Sequence, residues 1–224
     1  MDKYSKEYNG IFLAKYKELE GVQSNEPRKY QYLLNKHRNE MDTFRYMRNT
    51  LSHNLINGED PFIVSKSVVE LITKYINDIK EKVYSFSVKT NKMIVVNYTD
   101  TLKEVIDLMG KNNYSYIPIV DNDLKVVGIV SSDSIIDIFN EKEKLMVDEE
   151  DKLFKYSSYF SIENNENSFY LFIDKDMFLF ELENLVEKYQ HTSHKLGIIL
   201  ITEHGYRNER ILGLLTPWDI IKNQ

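Results

Sequence analysis

Apolar residues recur at helical spacing along the first third of the chain. They form three stripes, across residues 4–19, 28–55 and 64–83, in which most neighbours are three or four residues apart. This spacing places the apolar side chains on one face of each helix. Asn57-Gly58 and Asp60-Pro61 lie between the second and third stripes, where a helix is expected to end. The pattern therefore predicts a small α-helical bundle over residues 1–84.

A different pattern fills the rest of the chain and occurs twice. In each copy a helix is followed by an apolar strand, a polar turn and a second apolar strand. The first copy has helix 102–109 and strands 116–120 and 126–130; the second has helix 178–189 and strands 197–201 and 211–215. A repeat of this kind indicates one structural unit used twice. The predicted fold class is α+β, an N-terminal α-helical bundle followed by two β-α-β-β-α repeats.

The same pattern gives the expected boundaries. Repeat one is expected at residues 88–140 and repeat two at residues 169–223. The charged linker 141–168 is expected to be a loop with a helical turn. Residues 84–91 are expected to be a short connector, and Met93–Val96 the first strand of repeat one.

Composition narrows the class of protein. The 224 residues are 42% hydrophobic, as in chains with a buried core, and none is cysteine, which excludes disulfides and thiolate metal sites. No apolar run approaches the ~20 residues of a membrane span, and the N-terminus lacks the apolar core of a signal peptide. We therefore expect a cytoplasmic protein without membrane contact. Of the net charge of −6, residues 1–84 carry +2 and the remainder −8, which is compatible with a polyanion meeting the first domain.

The segment Gly213–Asp219 carries the clearest candidate chemistry. It is expected to be a buried strand that runs into the first turn of a helix. Thr216 is placed to cap that helix, and Pro217 to occupy its first position. Asp219 would then lie in the first turn, beside exposed backbone N–H groups. That arrangement suits a phosphate at the helix start and a carboxylate that accepts hydrogen bonds from ribose hydroxyls.

Residues 88–223 resemble a tandem CBS pair, an adenine-nucleotide-sensing module of many enzymes, channels and transporters. The family pattern is Gly-h-h-Ser/Thr-x-x-Asp, where h is apolar, and Gly213, Thr216 and Asp219 fill it. The resemblance implies AMP, ADP or ATP as a ligand, although the pattern also fits S-adenosylmethionine or a dinucleotide signal. It also places the segment before the hairpin at the adenine pocket, where Lys195 is a candidate phosphate contact.

The first copy departs from that pattern. Gly128 and Ser131 fill the first two positions, but Ser134 stands at the aspartate position and Asp133 lies one residue early. A serine cannot clamp two ribose hydroxyls as a carboxylate can, so one nucleotide site is expected, in the second copy. Trp218 is expected to pack between the repeats. No metal is expected, because His191, His194 and His204 do not have a ligand spacing.

In the N-terminal domain, Arg48 falls on the apolar stripe of the second helix. An unpaired charge there is costly, so a partner such as Asp42 or Glu40, or an exposed guanidinium, is one interpretation. The other starts from Arg48, Asn49 and His53, which resemble the Arg-x4-His motif of HEPN domains, helical bundles that include metal-independent endoribonucleases. The resemblance covers about residues 1–84 and implies catalysis by Arg48 and His53 in a homodimer. Histidine suits proton transfer near neutral pH, and arginine suits the charge that develops on phosphorus.

Two functions from different classes follow. The first is an adenine-nucleotide-sensing regulatory protein whose CBS pair controls a HEPN-like effector that acts on RNA. The second is a non-catalytic, ligand-responsive module for dimerisation or protein docking. A dimeric scaffold in which both sites are relics is the third alternative. A homodimer is expected in each case, because residues 34–55 have a heptad seam.

Overall fold

The computed structural model describes residues 5–90, 92–141, 148, 150–162, 168–190 and 195–221. Its contacts divide the chain into two compact units. The first contains Met1–Glu81 with Phe178–Phe180, and the second contains Lys82–Met177 with Glu181–Gln224. Helices and strands are both present, as the sequence predicts. None of the described helices has both the length and the apolar composition of a membrane span.

Four helices build the first unit: α1 (Glu7–Asn25), α2 (Pro27–Lys36), α3 (Arg38–His53) and α4 (Lys66–Asp78). Each turns an apolar face inward, because its apolar residues recur every three or four positions. Their core contains Phe12, Leu33, Phe44 and Ile72, all of which are buried. α1 packs against each of the other three helices.

The single long helix predicted over residues 28–55 is wrong, because the chain breaks at His37. The backbone of His37 leaves the helical region (φ −134°, ψ 43°). α2 ends at the residue before it, and α3 begins at the residue after it. The His37 imidazole stacks on the Tyr75 ring, with centroids 4.0 Å apart and planes 15° apart. This contact with α4 stabilises a break that the heptad spacing alone does not show.

A buried asparagine fastens the loop that precedes α4. Asn9 lies on α1 and is only 3% exposed. Its Nδ2 donates to Asp60 Oδ2 at 2.7 Å and to the Phe62 carbonyl at 2.9 Å, and its Oδ1 accepts from the Val64 N–H at 2.8 Å. A polar side chain this deeply buried is stable only when its hydrogen bonds are made. Here one side chain makes three of them.

The first half of the second unit contains α5 (Val83–Thr90), α6 (Leu102–Asn112), β1 (Tyr116–Val120), β2 (Val126–Ser131) and α7 (Ser132–Asn140). β1 and β2 pair antiparallel, with Tyr116 opposite Ser131 and Ile117 opposite Val130. α5 replaces the connector expected at residues 84–91. The predicted strand at Met93–Val96 is reduced to one parallel bridge, between Val96 and Ile119.

The second half has the same order from its first α-helix onward, and before that helix it has a full strand where the first half has only the Val96 bridge. After a 3₁₀ helix at Leu153–Tyr159 come β3 (Ser168–Asp174), α8 (Leu179–Gln190), β4 (Lys195–Thr202), β5 (Gly213–Leu215) and α9 (Pro217–Ile221). β4 is central, pairing parallel with β3 and antiparallel with β5. Its Ile198, Ile199, Leu200 and Ile201 are all buried, because β4 is covered on both faces.

Two motif glycines lie where another segment crosses a strand. A Cβ on Gly213 in β5 would lie 2.7 Å from Ser87 Oγ of α5. A Cβ on Gly128 in β2 would lie 2.7 Å from the Tyr98 hydroxyl and 3.0 Å from the Phe160 carbonyl. The Phe160 carbonyl also accepts a hydrogen bond from the Ile129 N–H at 2.9 Å. Glycine is needed at both places because a side chain would separate the packed segments.

The two sheets of the second unit share an apolar core. It joins Val126 and Ile129 of the first hairpin with Ile198 and Leu200 of β4, and with Ile211 just before β5. This packing brings the loop before β1 and the loop after β5 to the same region of the unit.

Candidate functional site

A cavity of about 500 Å³ lies in the second unit, between its two halves. A pocket of this size is typical of sites for small ligands. From the first half it is lined by Lys92, Ile94 and the run Asn112–Tyr116, and from the second by Leu196–Ile198, Leu214 and the run Thr216–Asp219. The motif residues Thr216 and Asp219 therefore lie on the wall of a cavity, as a ligand contact would require.

Thr216 and Asp219 are joined by hydrogen bonds. Asp219 Oδ2 accepts from the Thr216 N–H at 2.7 Å and from the Thr216 hydroxyl at 2.8 Å. The Asp219 N–H donates to the Thr216 carbonyl at 3.0 Å. These bonds fix the first turn of α9, as a capping residue and a third-position carboxylate do in general. They also use the Thr216 N–H, and Pro217 has none, so two of the backbone donors expected for a phosphate are not open to one.

The matching turn of the first repeat is closed by serines. The Ser131 N–H donates to Ser134 Oγ at 2.9 Å, and the Ser134 N–H donates to Ser131 Oγ at 3.0 Å. The Ser134 hydroxyl donates to the Ser131 carbonyl at 2.8 Å. Both serine side chains are buried, whereas Asp133, the residue before Ser134, is exposed. The first repeat thus uses Ser131, a candidate ligand contact, to cap α7.

Tyr116 and Gly197 meet at the wall of the cavity. A Cβ on Gly197 would lie 2.5 Å from Cζ of the Tyr116 ring and 2.9 Å from its hydroxyl oxygen. The ring of the first repeat can lie against β4 only because residue 197 has no side chain. Gly197 thereby sets the position of one aromatic wall.

Trp218 is placed differently from the expectation that it packs between the repeats. Its side chain is 68% exposed and lines the cavity. Lys92, Asn112 and Asn113 also line the cavity, although no pattern in the sequence marks them as site residues. They lie in a loop and at the end of α6, where the spacing of apolar residues predicts nothing. Only the folded chain brings them together at the cavity.

One segment of the second unit matches a known domain family. Residues 85–141 match the family model of the CBS domain. This segment of the chain is therefore similar to a CBS domain. The match ends before the second repeat begins, and the matched segment includes α6, β1, β2, α7 and most of α5. No curated protein matches the chain closely enough in sequence to count as a relative.

Solved structures with CBS domains resemble part of the chain. One is a protein assigned to acetoin utilization (AcuB) from Vibrio cholerae, with 20% identity, a TM-score of 0.46, and coverage of 64% of this chain and 89% of that one. The CBS domains of a transcriptional regulator from Streptococcus pneumoniae have 17% identity, a TM-score of 0.42, and coverage of 63% and 98%. The CBS domain pair of protein MJ0100, in complex with 5′-methylthioadenosine and S-adenosyl-L-methionine, has 18% identity, a TM-score of 0.41, and coverage of 64% and 94%.

The other candidates from the sequence are Lys195, as a phosphate contact, and three histidines considered as metal ligands. Lys195 begins β4, but its side chain is outside the described parts of the structure, as are His191 and His194. His204 Nδ1 pairs with Glu209 Oε1 at 2.7 Å on an exposed loop. Among the described residues, no three histidine or carboxylate side chains form a cluster that could hold a metal ion.

In the first unit, Arg48 is paired within the bundle. Its Nη2 lies 2.7 Å from Glu20 Oε1 of α1, so the partner is neither Asp42 nor Glu40. Its Nη1 donates to Asn49 Oδ1 at 3.0 Å, and its guanidinium carbon lies 5.8 Å from the centre of the Tyr16 ring. His53 is the exposed last residue of α3. Arg48 and Asn49 thus contact each other, while His53 lies one turn beyond them.

Proposed function

We propose that the two repeats of the second unit form a CBS pair that binds an adenine nucleotide and acts as a ligand-sensing regulatory module. The observation that carries the proposal is the position of Thr216 and Asp219 on the wall of a cavity of about 500 Å³. The opposite wall comes from the CBS domain of residues 85–141. A ligand there contacts both repeats at once, which is what a sensor requires.

Asp219 is the proposed ribose contact. A carboxylate accepts several hydrogen bonds, and both donors from Thr216 converge on Oδ2. Lys92 lies on the cavity wall as a cation for a phosphate group, and Lys195 remains a candidate for the same role. Gly213 contributes indirectly, because it allows α5 to pack on the strand that leads to Thr216.

The regulated partner is proposed to be the helical unit, in a homodimer. A ligand shifts a conformational equilibrium only if it binds one state more tightly, typically by about 1–3 kcal/mol. Of the two alternatives for this unit, we favour a non-catalytic dimerisation or docking role. The reason is that Arg48 is already paired with Glu20 and Asn49, as a structural arginine is.

Catalysis on RNA by Arg48, Asn49 and His53 stays a prediction with a direct test. If the HEPN-like interpretation is right, the purified protein cleaves RNA without added metal and His53→Ala abolishes the cleavage. Cleavage that survives His53→Ala contradicts the nuclease interpretation, and absence of cleavage by the wild-type protein supports the non-catalytic one.

The nucleotide proposal is tested by thermal shift with AMP, ADP, ATP and S-adenosylmethionine. A ligand at a hundred times its Kd stabilises the folded state by ~2.7 kcal/mol, which a melting curve detects. We expect a ligand-induced shift in the wild-type protein, its loss in Asp219→Ala, and its retention in Asp133→Ala, the exposed aspartate of the matching turn. The shift is compared with and without ligand in each variant, because Asp219→Ala also removes a cap. No shift with any ligand, or an equal shift in Asp219→Ala, contradicts the proposal.

A further inference from the structure

Trp218 presents a large apolar surface in an unusual place. Its indole is 68% exposed, although side chains of this kind are normally buried for most of their area. It stands between Thr216 and Asp219, whose hydrogen bonds fix the turn that carries it. A single exposed aromatic residue does not by itself mark a site, but the Trp218 side chain also lines the cavity that Thr216 and Asp219 line.

From this position we propose that Trp218 stacks on the base of the bound nucleotide and selects ligands that carry a flat heteroaromatic ring. This rests on the proposed nucleotide site and adds to it the group that recognises the base. Trp218 shares the cavity wall with Asp219, the proposed ribose contact. A base joined to that ribose lies within reach of an aromatic face one residue away in the same turn.

The other walls suit a ring as well. Tyr114 and Tyr116 line the cavity from the CBS domain, and Gly197 allows the Tyr116 ring to lie against β4. Aromatic walls with a few polar groups favour flat ligands with polar edges. Amide side chains that could meet such edges are also present, on Asn112 and Asn113.

The start of α9 gives a phosphate little in comparison. The Thr216 N–H already donates to Asp219, and Pro217 has no N–H. Among the described side chains that line the cavity, Lys92 is the only cation, and Asp219 balances its charge. We therefore expect the adenine base to contribute more to the affinity than the phosphates do, so that adenosine binds nearly as well as ATP.

The chain has a single tryptophan, so its fluorescence reports on this site alone. The wild-type protein is titrated with adenosine, AMP and ATP, and with ribose 5-phosphate, which has the sugar and phosphate but no base. We expect a saturable change in intensity or emission maximum with the three adenine ligands and none with ribose 5-phosphate. Binding of an adenine ligand with unchanged fluorescence overturns the stacking proposal.

Variants measure the contribution of the ring by calorimetric titration with AMP. Base stacking on an aromatic side chain corresponds to a roughly 5- to 150-fold loss of affinity on truncation, so Trp218→Leu is expected to bind that much more weakly. Trp218→Phe keeps a smaller ring and is expected to lie between. Phe154→Leu is the matched control, because Phe154 is 72% exposed in the same unit and does not line the cavity. The melting temperature of each variant checks its fold.

Two failures can be told apart. If Trp218→Leu binds AMP as the wild type does while Asp219→Ala does not, the stacking proposal is wrong and the nucleotide site stands. If the wild-type protein binds no adenine ligand at all, both proposals are wrong. Trp218 would then be left as an exposed residue for some other partner, such as a protein surface.

Discussion

The ring of Tyr116 lies directly against the backbone of Gly197, so close that a Cβ at residue 197 would be 2.5 Å from the ring carbon Cζ. The two residues come from different repeats and meet at the wall of the cavity. Contact of this kind is possible only for glycine. The pair therefore couples the packing of the repeats to the shape of the candidate ligand site.

Gly197→Ala is expected to push the Tyr116 ring away from β4. Overpacking of this kind typically costs about 1–3 kcal/mol, and the displaced ring changes the cavity wall. We expect a lower free energy of unfolding in urea and weaker AMP binding by calorimetric titration. Adding Tyr116→Ala to Gly197→Ala is expected to recover part of the stability, because the clash is removed.

Gly110→Ala is the control for this prediction. Gly110 lies inside α6, and nothing comes within 4 Å of a Cβ built there. Alanine is expected to stabilise that helix by roughly 0.5–1 kcal/mol. If Gly197→Ala behaves like Gly110→Ala, the close contact with Tyr116 is not what determines glycine at residue 197.

Ser134→Ala tests the capping role of the first repeat. The substitution leaves the buried Ser131 N–H without its acceptor, which typically costs about 1–3 kcal/mol. Because this turn is not on the cavity wall, we expect the affinity for AMP to stay unchanged. Urea unfolding and AMP titration separate the two effects, with the exposed Ser132→Ala as control. A loss of affinity in Ser134→Ala would place a ligand contact at this turn of the first repeat, outside the cavity wall.

Asn9→Ala is expected to be among the most destabilising substitutions in the first unit. It removes three hydrogen bonds and leaves the Val64 N–H buried without a partner. A loss of about 2–4 kcal/mol in the free energy of unfolding is expected from chemical denaturation. Asn39→Ala, at an exposed position of α3, is expected to change it by less than about 0.5 kcal/mol. Similar values for the two variants would contradict the role of Asn9 as a fastening for the loop before α4.

Asp151 is expected to contribute to stability in a pH-dependent way. The Lys155 ammonium and the Tyr156 hydroxyl donate to its carboxylate and lower the pKa of Asp151 to about 2, from an ordinary value near 3.8. A carboxyl with a lowered pKa in the folded state stabilises that state above its ordinary pKa, and the contribution is lost as the pH falls towards 2. Asp151→Asn is therefore expected to be less stable than the wild type at pH 6, with a difference that shrinks between pH 4 and pH 2.

The pH prediction is measured by urea unfolding of both proteins at pH 6, 4, 3 and 2.5. Other carboxylates titrate in this range, so only the difference between wild type and variant is informative. Asp133→Asn, at an exposed position, is expected to give a small difference that does not follow this course. If the free energies of unfolding of wild type and Asp151→Asn differ by the same amount at every pH, the prediction for Asp151 is wrong.

The spacing of apolar residues predicts several elements of the second unit closely, although not α5 or the loss of the strand at Met93–Val96. β1 has the bounds that the sequence predicts, because Tyr116–Val120 is apolar and ends at a polar turn. The helix predicted at residues 178–189 lies within one residue of α8. The pairing of Thr216 with Asp219 also follows from their spacing, since a capping residue and the third residue of a helix face each other.

Long-range contacts were beyond the reach of the same signals. At the break, the His37 ring stacks on Tyr75, which is 38 residues away along the chain. The partner of Arg48 is Glu20 on another helix, whereas the sequence favours a neighbour on the same helix. The sequence predicts that Trp218 packs between the repeats, whereas its side chain is 68% exposed and lines the cavity. In each case tertiary structure decides between states that local preference leaves nearly equal.

The close contacts at Gly213 and Gly128 join each repeat to a segment outside it. Ser87, which precedes repeat one, packs on the last strand of repeat two, and Phe160, which precedes repeat two, is bonded to the hairpin of repeat one. Each repeat is thus packed against the segment that precedes the other repeat in the sequence. A fragment cut at the sequence boundary of either repeat would lack one of these contacts, so we expect the two repeats to be more stable together than apart.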